Sequence, residues 1–283
     1  MGCRALGWVH PGFVDGKITG VDDSAELVYE LESVGFDYPG GTTALQEITW
    51  SVRRGECWAV LGANGSGKST LLKLLDGLYY ATFGSLRFCG DALSEKAFAS
   101  DDFNYAFRRQ VGFVFQDPNV QLFSASVLDE VAFAPLQLGL SDAEVMQRVE
   151  QAMQALEVTK LADRPPHHLS GGEKKRVSIA SVLTLEPQVW LLDEPTAGLD
   201  PRSQSWLVGF IRQRHALGET IVIATHDLSI LQQVATDCLV FGEDHRIAAI
   251  GSPDDILADH ALLHACNLMH QHPTKALYQT HGG

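Results

Sequence analysis

Basic charge is what this sequence has too little of. Of its 283 residues, 21 are Lys or Arg against 35 Asp or Glu, a formal net charge of −14. Nucleic-acid binders carry a basic face, and this balance argues against one. It argues equally against direct adhesion to anionic lipid. Cysteine is sparse: Cys3, Cys57, Cys89, Cys238 and Cys266 are odd in number and form no CxxC pair. That speaks for reduced thiols in a cytoplasmic protein rather than a disulfide framework. No apolar run approaches the roughly 20 residues of a membrane span. The opening MGCRALGWVHPGFVDG holds one Arg and an apolar patch broken by His10 and Pro11, which makes a poor signal peptide. Leu6 stands where a myristoylation signal after Gly2 needs Ser or Thr. The chain is therefore expected to be soluble, with any membrane contact passing through a protein partner. Internal repeats, low-complexity tracts and coiled-coil heptads are missing too.

What is there is a globular composition, 45% hydrophobic and 20% charged. The length allows one large domain or a core with a satellite subdomain. Residues 1–25 have little periodicity and read as an irregular extension. Leu27 to Val34 and Leu45 to Val52 alternate as strands of a half-exposed antiparallel sheet, joined through the turn signal Tyr38-Pro39-Gly40-Gly41. Cys57 to Leu61, Ser85 to Cys89, Val111 to Phe115, Val189 to Leu192, Ile221 to Ala224 and Cys238 to Phe241 read as further strands. Helices are expected up to Leu75, over most of Gln116 to Leu183, and over Trp206 to Arg214. Ser141 to Glu144 is a capping box. Apolar strands alternating with helices indicate a parallel α/β sheet.

The strongest motif is Gly62-Ala63-Asn64-Gly65-Ser66-Gly67-Lys68-Ser69, which fits G-x-x-x-x-G-K-[ST] and is followed by Thr70 at the start of a helix. Glycines let successive N–H groups converge on phosphate oxygens, and the helix N-terminus adds a favourable dipole. Lys68 is expected on the β- and γ-phosphates, and Ser69 on Mg²⁺. The apolar strand Val189 to Leu192 ends in Asp193 and Glu194. Asp193 is placed for the Mg²⁺ shell and Glu194 for the attacking water. Standing alone, that strand would end in a solvated acidic turn. Gln116, Glu194 and His226 each follow a strand, so with Lys68 and Asp193 they make a candidate γ-phosphate site on one sheet edge. Leu169-Ser170-Gly171-Gly172-Glu173 reads as a capped helix start, and equally as Ser170 and N–H groups offered to a phosphate.

In this order these residues resemble an ABC-type ATPase cassette, from about Leu27 to Ala258. The carriers are the loop GANGSGKS, the signature LSGGE, the strand VWLLDE, the D-loop Ala197-Gly198-Leu199-Asp200 and the switch Thr225-His226-Asp227. Ala63 stands where relatives often have Pro. The resemblance implies an α/β fold: a P-loop ATPase core with an antiparallel β subdomain and an inserted helical subdomain. It implies a domain over 26–258, a helical part at about 117–184, and a C-terminal helix and His-containing tail over 259–283. ATP and Mg²⁺ are the implied cofactors. Tyr38 would stack on adenine, and Gly62, Asn64, Gly65, Ser66, Gly67, Lys68, Ser69 and Thr70 would cradle the phosphates. Ser170, Gly171, Gly172 and Asp200 would act from a second ATPase subunit in a head-to-tail dimer, homomeric or with a related chain. Glu194, His226 and Gln116 would be catalytic, with Gln116 joining Ser69 and Asp193 around Mg²⁺.

A narrower resemblance starts at Phe115-Gln116-Asp117-Pro118-Asn119-Val120-Gln121-Leu122-Phe123. It continues in Val131 to Leu136, in His167-His168 and in Lys174-Lys175-Arg176. It is similar to ATPases of energy-coupling-factor importers of vitamins or transition-metal ions, which implies an integral membrane partner and a place on the cytoplasmic face of the membrane. Phe123 would then touch the membrane partner; otherwise Leu122, Phe123, Phe133 and Leu136 are ordinary helical core. The tail Asn267 to His272 resembles cobalt or nickel ATPases, and the histidines at 260, 264, 270, 272 and 281 are good ligands for such ions. A polar tail with scattered histidines is nonetheless most often solvated. Rival readings are a vitamin importer, another type of ABC transporter, and a non-transport ABC protein on ribosomes or DNA. Members of the last group usually carry two cassettes or long coiled coils.

Overall fold

The computed structural model describes residues 27–269. The expected extension 1–25 and the histidines at 270, 272 and 281 lie outside them. In chain order come β1 (Leu27–Asp37), β2 (Thr43–Arg53), β3 (Cys57–Leu61), α1 (Lys68–Leu75), β4 (Phe83–Phe88), β5 (Asp91–Ala92), α2 (Glu95–Phe98), α3 (Asp101–Arg108) and β6 (Val111–Val114). Then follow α4 (Pro118–Gln121), α5 (Val127–Gln137), α6 (Asp142–Ala155), α7 (Gly171–Leu183), β7 (Val189–Asp193), α8 (Pro201–Ala216) and β8 (Thr220–Thr225). The chain ends in α9 (Leu231–Val234), β9 (Asp237–Phe241), β10 (Ile247–Gly251), α10 (Pro253–Ala258) and α11 (His260–Ala265).

One sheet has the order β10-β9-β3-β8-β7-β6, parallel except for the β10–β9 pair. β3, β7 and β8 are buried at every residue, as strands covered on both faces must be. Because these strands run the same way, their carboxyl ends share one edge, where α/β sheets bind ligands. The other sheet, β2-β1-β4-β5, is antiparallel. β2 shows the expected alternation, and so does β1 apart from its bulges: Tyr29, Leu31, Val34 and Phe36 are buried, whereas Glu32 and Ser33 are exposed. The adjacent buried pair Val28 and Tyr29 lies where the register against β2 shifts, a bulge that interrupts the alternation. β1 lies between β2 and β4, which pair with its two edges.

Sequence reasoning assigned nothing to β5, α2, α3, β10 or α10. α2 and α3 are short and held by Phe98, Phe103 and Phe107, whose rings lie 5.0–6.2 Å apart. α8 starts at Pro201, well before Trp206, because Asp200 caps it by accepting from the N–H groups of Arg202 and Ser203. The capping boxes at Ser141/Glu144 and Ser170/Glu173 are both formed. Gly112 in β6 lets α7 approach closely, since a Cβ there would lie 2.4 Å from Val182 Cγ1. A third apolar cluster joins Leu263 and Cys266, in and just after α11, to Leu61, Cys238 and Val240 of the main sheet.

α1 ends at Asp76, whose carbonyl and carboxylate both accept from Arg108 Nη1 at 2.9 Å. Burial outweighs Arg108 and pushes this carboxyl from 3.8 up to about 7. A folded state that holds the proton more tightly than the unfolded chain loses stability as pH rises from 3.8 to about 7. Asp76→Asn removes that cost. The variant's urea midpoint, measured against the parent's, is expected to rise more at pH 8 than at pH 5. The opposite trend would mean that the Arg108 ion pair dominates.

Candidate nucleotide site

The loop between β3 and α1 has Gly65 at φ +85° and Gly67 at φ +112°, conformations that favour glycine. At Gly67 a Cβ would also lie 2.4 Å from the Ala44 carbonyl oxygen, so the loop can curl under no other residue. Lys68 is buried, and its Nζ donates to the carbonyls of Gly62 at 2.8 Å and Ala63 at 3.1 Å. Glu194 Oε1 lies 3.5 Å away. Burial lowers the Lys68 pKa, and the carboxylates of Glu194 and Asp193 oppose that shift. Ser69 Oγ donates to Asp193 Oδ1 at 2.8 Å. Burial raises the Asp193 carboxyl, and the Ser69 bond works against it.

Glu194 leaves β7 at φ +41°, rare for a residue with a side chain. Its N–H donates to the Ala224 carbonyl at 2.8 Å, tying the turn to β8. His226 Nδ1 donates to Glu194 Oε1 at 2.9 Å. Oε2 is buried without a partner. An orphaned buried carboxylate oxygen is costly unless a ligand or a water meets it, and a polar guest is what the cleft here offers room for. Glu194, Gly198, His226 and Asp227 line that cleft of about 530 Å³, together with Leu268 from the C-terminal segment. Tyr38 is half-buried against Phe36 and Tyr79, with its hydroxyl 2.7 Å from Thr70 Oγ1 on the first turn of α1.

These residues converge; others do not. Gln116 is exposed, and no hydrogen bond joins its amide to Ser69 or Asp193 among the described residues. Ser170 and Gly171 are exposed at the N-terminus of α7, where Ser170 Oγ accepts from Glu173 N–H at 3.3 Å and Ser170 N–H donates to Glu173 Oε2 at 2.8 Å. Gly172 faces Ser203, and Ser203 Oγ donates to Asp200 Oδ2 at 2.8 Å. The signature and the D-loop acid are thus neighbours. Among the described residues, no hydrogen bond or ion pair links Ser170, Gly171, Gly172 or Asp200 to the phosphate loop. Sequence reasoning missed the buried polar residues beneath this surface, Lys175 and Glu130. Only the cluster Lys174-Lys175-Arg176 hinted at the first. Burial lowers Lys175 to about 8, against the pull of Asp193 and Asp117. Among the described residues no group of three His, Cys, Asp or Glu side chains could hold a metal ion.

Residues 45–197 match the family model described as ABC transporter. The chain belongs to the ABC transporter family. It is an ATPase of that family, and ATP hydrolysis is coupled to transport. It is 45% identical over 244 residues to the nickel import ATP-binding protein NikO of Rhodobacter capsulatus, covering 85% of this chain and 95% of that one. It is 40% identical over 239 residues to the energy-coupling factor transporter ATP-binding protein EcfA of Methanothermobacter thermautotrophicus, covering 84% and 75%. Among solved structures, cbiO1 from Clostridium perfringens, part of the ABC transporter complex cbiONQ, superimposes with a TM-score of 0.72 at 38% identity, covering 86% of this chain and 95% of that one. A dimeric ATP-binding cassette in a post-hydrolysis state, bound to ADP and phosphate, gives 0.71 at 25% identity, covering 80% and 98%. No helix of this ABC ATPase, among the described residues, is long and apolar enough to cross a membrane.

Proposed function

We propose that this chain is the ATP-hydrolysing subunit of an energy-coupling-factor importer for nickel or cobalt ions, working as a dimer on the cytoplasmic face of the membrane. The observation that carries the transport reading is an exposed apolar patch beside Gln116. Phe123 is 67% exposed and packs edge-on against Phe133, with Leu136 on the same helix 50% exposed. That departs from the core role open to Phe123, Phe133 and Leu136 on sequence. The loop carrying Phe123 is fixed, because Glu130 Oε2 accepts from the N–H groups of both Phe123 and Ser124. A rigid aromatic patch on an acidic protein suits an apolar partner surface. The similarity to NikO supports the cargo, and the similarity to EcfA keeps a vitamin in play.

The site residues take these roles. The N–H groups of the phosphate loop and Lys68 bind the triphosphate of ATP, and Tyr38 holds the adenine. Ser69 and Asp193, already paired at 2.8 Å, hold Mg²⁺ with Gln116 as the third protein ligand. Bound there, Mg²⁺ neutralises charge on the transferring phosphoryl group. Glu194 orients the attacking water and takes its proton, with Oε2 free for that contact. His226 fixes the carboxylate through Oε1. Ser170, Gly171, Gly172 and Asp200 complete the site of the partner subunit.

Co-purification from membranes tests the reading. A small polytopic membrane protein is expected with the parent chain, and reconstituted vesicles are expected to take up Ni²⁺ or Co²⁺ on ATP addition. Phe123→Asp is expected to lose the partner at least about tenfold while binding ATP as before. Recovery of ribosomes or DNA instead would sink the importer reading, and uptake of a vitamin alone would sink the cargo.

A further inference from the structure

The chain after β6 is fastened to the helical layer as well as to its own sheet, where the Phe115 ring lies 4.5 Å from that of Phe113. Lys175, on the second turn of α7, is 2% exposed, and its Nζ donates to the carbonyls of Phe115 and Gln116, each at 3.0 Å. Gln121 Nε2 donates to the Ser178 carbonyl at 2.8 Å and to Ser181 Oγ at 3.2 Å, while its Oε1 accepts from Phe115 N–H at 3.3 Å. Lys174 Nζ donates to Asn119 Oδ1 at 2.8 Å. A buried ammonium left without acceptors is costly, and so are buried carbonyls left without donors. This seam therefore holds its two sides together as one body. Gln116 contributes only its backbone to the seam. Its side chain stays exposed.

We propose that Lys175 is a positioning residue for hydrolysis: its ammonium clamps the Phe115 and Gln116 carbonyls to the signature helix, so that a movement of Ser170 is carried to Gln116. One end of α7 presents Ser170 to a second subunit, and the next turn holds the backbone of the residue that reaches into the first. A rotation of α7 is then felt at both nucleotide sites at once. The same body carries the exposed Phe123, so a partner pushing there moves Gln116 without bending the loop. The inference rests on the proposed place of Gln116 at the γ-phosphate.

The test is a double-mutant cycle on the full chain, read by steady-state Mg-ATP hydrolysis. Lys175→Met keeps the volume of the buried side chain and removes its donors. It is expected to lower kcat about tenfold or more, with the half-saturating ATP concentration changed less than about threefold, because the phosphate loop is untouched. In a Gln116→Ala background the same change is expected to cost less than about twofold, since residues acting through one another are not additive. Lys174→Met, on the half-exposed edge of the seam, is a milder version that spares the buried position. Its loss of about two- to threefold is expected to vanish in the same background. Multiplicative losses for both lysines, or parental turnover in Lys175→Met, overturn the clamp and leave Gln116 in place. Parental turnover in Gln116→Ala overturns both.

Discussion

Glu194→Gln is expected to bind ATP as tightly as the parent and to hydrolyse it about 10²- to 10⁴-fold more slowly, the range for removing a general base. The argument starts from the two oxygens of one carboxylate. Oε1 is occupied by His226 at 2.9 Å, with Lys68 at 3.5 Å; Oε2 is buried and faces no protein donor. An amide of the same shape keeps one oxygen toward His226 but offers no base to a water. The left-handed turn at φ +41° is tied by its backbone to Ala224, so the substitution leaves the geometry intact. Filter binding of radiolabelled ATP and a phosphate-release assay read the two quantities separately. Parental turnover would remove Glu194 from the chemistry, and lost ATP binding would mean that it holds the ground state through Lys68.

Ser170→Arg is expected to lower turnover at least about 10²-fold, the scale for losing a donor aimed at transition-state charge, yet to leave ATP binding by the same chain unchanged. Ser170 sits on the exposed end of α7, bonded only to Glu173. Mixing provides the decisive measurement. A Lys68→Ala chain lacks the phosphate-loop cation but keeps an intact signature; the Ser170→Arg chain has the converse. A dimer of one with the other contains one site with both lesions and one with neither. The mixture is therefore expected to hydrolyse ATP faster than either variant alone. Failure to complement would mean that Ser170 serves its own phosphate loop.

The parts of this molecule that could be read from sequence are those whose geometry is set by neighbours in the chain. The phosphate loop needs glycine where φ is positive, and Gly65 and Gly67 stand there in a continuous motif. Ser141 and Ser170 announce their helices because a cap and its box span only three residues. The parts that could not be read depend on what the fold brings from far away. β1 has the pattern of a half-covered strand and is one, but the bulges that shift its register, between Leu31 and Val34 among them, are set by its pairing with β2. Lys175 stands in the run Lys174-Lys175-Arg176, and its burial depends on the Phe115 and Gln116 carbonyls that the fold brings to it from about 60 residues upstream. α3 was missed for the same reason: Phe103 and Phe107 make sense only once Phe98 and Arg108 are beside them.

The cluster at the end of the chain sets a limit on how this ATPase can be cut. The span resembling a cassette stops near Ala258, and it would be natural to trim a minimal domain there. Yet Leu263 and Cys266 share one apolar cluster with Leu61, the last residue of the strand that launches the phosphate loop. Shortening the gene near Ala258 would uncover the apolar cluster that includes Leu61, Cys238 and Val240 of the main sheet. An affinity tag therefore belongs at the amino end, and a crystallisation fragment should run at least through Met269.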